Sequence, residues 1–184
     1  RQVVAGENMG AIISAAALER IEGYIDRAEA AGARIAVDGR SATVAGKEGG
    51  FYTNPTLIDG LDIGNECACD EIFGPVLSVV RVETFREAIY LINSNPFGNG
   101  TAIFTRDGGA ARQFQHEVQV GMVGINVPIP VPVAYHSFGG WKASLFGDTH
   151  MYGPEGVRFY TRAKAITARW PDPASSPVSY THLT

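Results

Sequence analysis

The sequence has no apolar run near the roughly 20 residues that a membrane-spanning helix needs, so no spanning helix and no membrane partner are expected. It has no basic block either: 15 Lys and Arg stand among 19 Asp and Glu, scattered for a net charge of -4 at pH 7. Without a clustered cationic surface there is nothing to displace counterions from a phosphate backbone, which argues against a nucleic-acid partner. Only two cysteines occur, Cys67 and Cys69, separated by one residue. Thiols that close in sequence rarely form an unstrained disulfide, and a reducing, intracellular setting is expected. The four histidines, His116, His136, His150 and His182, lack the spacing of metal ligands, so no metal site is expected. The first residue is Arg1 rather than Met, and no charged-then-apolar leader follows, so the start reads as an interruption. In that context the sequon Asn99-Gly100-Thr101 is read as chance.

What is present is a foldable chain. Of its 184 residues 45% are apolar, enough for a real core and for one domain or most of one. Ser14 is placed to cap a helix running to about Ala31, with Leu18, Ile21, Ile25 and Ala28 on one face and Gly32 at its end. Arg34 to Val37 reads as a short strand, and Arg40 to Gly50 as an exposed loop or hairpin. Phe51 to Leu57 reads as extended, with Pro55 limiting it to an edge or a strand end. Val76 to Val82 is a strand-length apolar run, and Thr84-Phe85-Arg86-Glu87 has the spacing of a capping box. The helix it starts buries Phe85, Ala88, Ile89 and Ile92 and stops at Asn95-Pro96. Thr101 to Thr105, Gly109 to Glu117 and Gly121 to Asn126 continue as strand, helix and strand. This alternation predicts an α/β fold, a parallel sheet with right-handed crossover helices.

Three prolines and no Asp, Glu, Lys or Arg fall between Val127 and Phe138, which suggests a stiff apolar wall. Val157 to Thr161 and Ala165 to Trp170 are expected as late strands, and Pro171 to Thr184 as a disordered or artefactual tail. The expected organisation is thus residues 1–156 as a partial catalytic domain, 157–170 as C-terminal strands and 171–184 as tail. There is no internal repeat.

One polar cluster stands in an apolar setting. Asp70-Glu71-Ile72-Phe73-Gly74-Pro75-Val76 puts two carboxylates beside an aromatic and a Gly-Pro turn, directly before a strand. An ionised carboxylate accepts two hydrogen bonds, which suits the neighbouring hydroxyls of a ribose, and Phe73 could lie against a flat ring. The plainer reading, Glu71 as a solvated loop acid and Phe73 as a core anchor, stands beside it.

Glu71-Ile72-Phe73-Gly74-Pro75-Val76 resembles the Glu-x-Phe-Gly-Pro motif of the aldehyde dehydrogenase superfamily. Asn8-Met9-Gly10 with Ile12-Ile13-Ser14 resembles that family's Met-Gly-Pro-x-Ile-Ser stretch, with Ala11 where Pro is usual. Gly50 to Leu57 resembles Gly-x-(Phe/Tyr)-x-x-Pro-Thr-Leu, and Asn95 to Thr105 resembles Tyr-Gly-Leu-x-x-x-(Val/Ile)-Phe-Thr. Gly121 to Asn126 resembles Gly-x-(Val/Ile)-x-x-Asn, and Ser137 to Ser144 resembles Pro-Phe-Gly-Gly-x-Lys-x-Ser. Each motif is short, but six in family order over about Met9 to Trp170 make a specific signal. Phe97-Gly98-Asn99-Gly100-Thr101, His136 to Lys142, Leu145-Phe146-Gly147-Asp148 and Tyr152 to Arg162 look like the methylmalonate-semialdehyde dehydrogenases within it.

The resemblance implies roles. Glu71 would hold the nicotinamide ribose of NAD and Phe73 would border the nicotinamide. The family's nucleophilic cysteine, in a Gly-Gln-x-Cys context, would lie upstream of Arg1, so no catalytic nucleophile is expected here; Cys67 and Cys69 are expected to be small strand residues. Phe138 would border the aldehyde tunnel, with core packing as the alternative. Asn126 would bond the pocket wall or merely cap its strand. Lys142 is expected as a structural cation under the Phe138-Gly139-Gly140 loop, and His136 as a structural histidine. The implied reaction is CoA-acylating oxidation of methylmalonate or malonate semialdehyde, in which a thioester passes its acyl group to CoA. The resemblance also implies a homo-oligomer bridged by the C-terminal strands, cytoplasmic in a bacterium or mitochondrial in a eukaryote. A hydrolytic aldehyde dehydrogenase and a non-catalytic module remain the alternatives. Alone, the chain is expected to be inactive and prone to aggregate through exposed apolar surface.

Overall fold

The structure, a computed structural model, describes residues 4–170. The tail expected at 171–184 lies outside the described residues. The chain divides into two compact units, Arg1–Asn95 and Pro96–Thr184.

In the first unit, helix α1 (Ala15–Ala30) begins where the Ser14 hydroxyl accepts the Ala17 amide and ends before Gly32 at φ +91°. Strand β1 (Arg34–Val37) pairs antiparallel with β2 (Thr56–Asp59), and β2 pairs parallel with β3 (Val76–Val79). The central strand β2 starts directly after Pro55, so the missing proline amide falls outside the ladder. A one-turn helix, α2 (Glu66–Cys69), is set by the Asn65 side chain, which accepts the Cys67 amide at 2.9 Å. Helix α3 (Phe85–Ser94) carries the expected capping box, Thr84 and Glu87 each taking the other's backbone N–H. Ile21, Ile25 and Ala28 of α1 meet Ile58, Leu61, Cys67 and Ile72 in one buried cluster. Each fully buried isoleucine stabilises the unit by about 1.5–3 kcal/mol.

In the second unit, β4 (Phe97–Gly98) pairs antiparallel with β7 (Trp141–Lys142). Strands β5 (Gly100–Ile103) and β6 (Met122–Ile125) pair in parallel, joined by α4 (Gly108–Glu117), whose first amides are capped by Asp107. Ala111 and Phe114 of α4 are buried, as are Val118 and Val120 before β6.

Several expectations are corrected. The α/β class with parallel strands holds, but among the described residues the parallel pairing comes as two separate pairs, β2 with β3 and β5 with β6, rather than as one run through β3, β5 and β6. Val157 to Thr161 is not a strand: residues Gly153–Tyr160 form helix α5. Pro154 in its first turn presets a helical φ, Ser137 Oγ accepts the Glu155 amide at 3.4 Å, and Arg158 pairs with Glu155 at 2.7 Å. Residues 161–170 form no strand pairing among the described residues and are exposed throughout. Cys67 and Cys69 lie on α2, not on a strand, with Cys67 buried and Cys69 exposed.

Candidate functional site

The segment Asp70–Pro75 is built by α1 from behind. Three stripes run along that helix at i, i+4, i+7 spacing. Ile21, Ile25 and Ala28 form the apolar seam. On one edge, Arg20 Nη1 donates to the Ile72 carbonyl at 2.6 Å, the Tyr24 hydroxyl donates to Asp70 Oδ2 at 2.9 Å, and Arg27 pairs with Glu66 at 2.5 Å. On the other edge, Glu22 accepts the Ser41 amide at 2.9 Å, while Asp26 and Glu29 meet the Arg40 guanidinium at 2.6 and 2.7 Å. Asp38 adds a third carboxylate to Arg40, and together Asp38, Asp26 and Glu29 push its pKa further up. The bond to Asp70 likewise raises the Tyr24 phenol.

Against this backing the segment alternates. Ile72 turns its side chain into the core, while Glu71 and Phe73 on either side of it are exposed, Phe73 by 80%. Gly74 lies so close to α1 that a Cβ there would stand 2.7 Å from Ile21 Cδ1. The Pro75 carbonyl accepts the Thr56 amide at 2.8 Å and so hands the chain into the sheet. Phe73 has φ +55°, a left-handed conformation that costs a side-chain-bearing residue about 1–2 kcal/mol. Such strain persists only where the surroundings over-determine it. A carboxylate with two acceptor oxygens and an aromatic face, both free of the core on one short segment, suit a vicinal diol and a flat ring. The plainer reading of Phe73 as a core anchor does not fit its exposure; Ile72 is the anchor.

The two neighbouring cysteines both face backbone carbonyls. Burial raises the Cys67 thiol, and its Sγ lies 3.3 Å from the Tyr24 carbonyl. Cys69 Sγ is 3.2 Å from the carbonyl of Ile63.

In the second unit, Asn126 follows β6 at φ +58°. Its Oδ1 accepts the Thr105 amide at 2.9 Å and its Nδ2 donates to the Thr105 carbonyl at 3.1 Å. The amide thus ties the segments that follow β5 and β6 to each other. Phe138 is half-buried and stacks on Tyr152, ring centroids 4.5 Å apart and planes 6° from parallel. The Ser137 hydroxyl donates to the Tyr152 carbonyl at 2.8 Å, tying this loop to the start of α5. Before it, Val127, Ile129, Val131, Val133 and Tyr135 are all exposed, so the proline-rich stretch is an apolar surface in this chain. His136 is exposed and its ring lies 4.2 Å from that of Tyr135. Lys142, at φ +53°, sits in β7 and is held by the Phe97 pairing.

Sequence reasoning misses Arg20 and Tyr24. The i, i+4, i+7 spacing of Arg20, Tyr24 and Arg27 is visible, but their partners lie 39 to 52 residues away, and no local pattern announces them.

The chain belongs to the aldehyde dehydrogenase family, whose model matches residues 3–166. Malonate-semialdehyde dehydrogenase of Pseudomonas aeruginosa is 59% identical over 174 residues, covering 95% of this chain and 35% of the relative. The human mitochondrial acylating methylmalonate-semialdehyde/malonate-semialdehyde dehydrogenase is 47% identical over 165 residues, covering 90% and 31%. Among solved structures, methylmalonate-semialdehyde dehydrogenase from Oceanimonas doudoroffii superposes with a TM-score of 0.89 at 53% identity, covering 94% of this chain and 36% of that one. A structure from Sinorhizobium meliloti, complexed with NAD, gives 0.89 at 44% identity, covering 95% and 37%. The chain spans about a third of the length of these relatives.

Proposed function

We propose that this chain is the C-terminal part of an NAD-dependent, CoA-acylating methylmalonate/malonate-semialdehyde dehydrogenase. The observation that carries this reading is the outward presentation of Glu71 and Phe73 around the buried Ile72. The names of the relatives at 59% and 47% identity support the aldehyde class, and the NAD complex of the Sinorhizobium structure supports the cofactor. Glu71 would hold the ribose hydroxyls and Phe73 would border the nicotinamide. Nicotinamide supplies the hydride acceptor for the oxidation, and the CoA thiol takes the acyl group. Methylmalonate semialdehyde would leave as propionyl-CoA with loss of carbon dioxide, and malonate semialdehyde as acetyl-CoA.

Phe138, braced by Tyr152, and the apolar stretch from Val127 line the aldehyde path, and Asn126 holds the strand ends beneath that stretch. The nucleophilic thiolate comes from a part of the protein outside this sequence, since neither Cys67 nor Cys69 is suited to the role. Residues 1–156 act as part of the catalytic domain. Exposed Val157, Phe159, Ile166 and Trp170 offer apolar surface to a second subunit, which supports a homo-oligomer.

The test is NADH formation by the complete enzyme from malonate semialdehyde and NAD, with and without CoA. Acyl-CoA product and CoA-dependent turnover are expected. Turnover that yields free acid at a rate indifferent to CoA would replace this reading with the hydrolytic one. The purified 184-residue chain alone is expected to form no NADH.

A further inference from the structure

We propose that Arg20 is a positioning residue for the cofactor face, a proposal that rests on the reading of Glu71 and Phe73 just given. Its Nη1 donates to the Ile72 carbonyl at 2.6 Å across 52 residues of sequence. That carbonyl belongs to the same planar peptide as the Phe73 nitrogen, so its direction and the Phe73 φ turn together. The buried Ile72 side chain anchors one Cα but leaves the peptide plane free to rotate about its ends. A flip of that plane would relieve the φ of +55° at Phe73, reversing the Ile72 carbonyl and the Phe73 amide and loosening the backbone conformation in which the Phe73 ring stands exposed. The flip would also break the Arg20 hydrogen bond, and a charged donor makes this a comparatively strong one.

One turn further along α1, Tyr24 holds Asp70 at 2.9 Å, on the other side of Glu71. Two α1 side chains therefore bracket the pair that faces the cofactor. Tyr24 secures where the segment enters, and Arg20 holds the carbonyl that fixes the left-handed backbone of the exposed Phe73. Neither side chain is asked to touch the cofactor.

The test is NAD affinity in the full-length enzyme, by titration of intrinsic fluorescence, together with steady-state kinetics. Arg20→Leu is expected to raise Kd and KM for NAD by about three- to tenfold, the scale of one charge-assisted hydrogen bond. kcat at saturating NAD should stay within about twofold, and Arg20→Lys, which keeps a charged donor, should recover most of the affinity. The decisive comparison is made in a Phe73→Gly background, where glycine adopts the left-handed conformation without strain. There Arg20→Leu should add less than about twofold. An equal loss in both backgrounds would show a merely structural role and overturn the proposal. So would unchanged affinity in Arg20→Leu while Glu71→Gln weakens NAD binding. Unchanged affinity in Glu71→Gln would instead remove the cofactor reading itself, and the proposal with it. If Arg20→Leu does not fold, Arg20→Gln, which keeps a neutral donor, carries the same comparison.

Discussion

Replacing Gly74 by alanine tests how tightly the Asp70–Pro75 segment is built against α1. The new methyl carbon would stand 2.7 Å from Ile21 Cδ1, 2.8 Å from Cγ1 and 3.0 Å from Cγ2. Ile21 is fully buried, so it has no solvent to retreat into, and overpacking of this kind costs about 1–3 kcal/mol. Against this, alanine restricts the unfolded chain and returns about 0.4–1 kcal/mol. The expected net loss is therefore between about 0 and 2.6 kcal/mol, and, on the proposed cofactor reading, NAD affinity should fall with it as the segment is pushed outward. Ile21→Ala alone should cost about 2–5 kcal/mol through its cavity. It also removes all three atoms that the methyl introduced by Gly74→Ala would strike. The two changes should then be strongly non-additive, with the double variant no less stable than Ile21→Ala. Urea unfolding of the full-length enzyme, followed by fluorescence and read as midpoint shifts against wild type, gives the cycle. Simple additivity would refute the idea that Gly74 is required for close approach to Ile21.

Three further outcomes follow from the same contacts. Arg81 and then Arg34 hold the Asp59 carboxyl well below its ordinary range, so its contribution to stability is present above the unfolded pKa near 4 and fades as pH falls below that value. The stability gap between wild type and Asp59→Asn should be constant from pH 7 to about 5 and narrow below about pH 4 in urea titrations; a gap that widens on acidification would contradict this. Thr84→Ala removes the capping-box hydroxyl of α3 and should cost about 1 kcal/mol, seen as a lower urea midpoint with an unchanged slope. Asn126→Ala loses the reciprocal bonds to Thr105 and also strains a φ of +58°, so it should destabilise more than Asn126→Gly, which loses the bonds alone. Equal thermal shifts for the two would show that backbone strain at this position is negligible.

Local signals carry most of the elements. Ser14 and Thr84 announce their helices because a cap is decided within four residues, and the Ile21, Ile25, Ala28 seam is a period that any reader can count. Helix α5 reads as a strand in the sequence because Val157, Phe159 and Tyr160 favour strands, while what holds the helix is partly a hydroxyl from Ser137, 18 residues earlier. The cysteine helix α2 is a single turn decided by the Asn65 side chain, too short to show a period. At the site, Glu71 and Phe73 are legible as a motif, but that Ile72 is the anchor between them depends on α1 reaching back from another part of the chain. Asn126 stands out as a strand end, and only the neighbouring parallel strand could show that Thr105 takes up its amide.

Helix α1 has an apolar seam flanked on both edges by charged or hydroxyl-bearing side chains, each engaged by a different loop. A helix held only by its seam can roll about its axis while its isoleucines exchange neighbours. This one cannot, because a roll in either direction pulls one row of contacts open and drives the other into its loop. The loop at 38–41 and the segment 66–72, which opens with α2, are thereby coupled to each other through α1. A disturbance at Arg40, remote in sequence from Glu71, should register at Glu71 before it registers as loss of the helix.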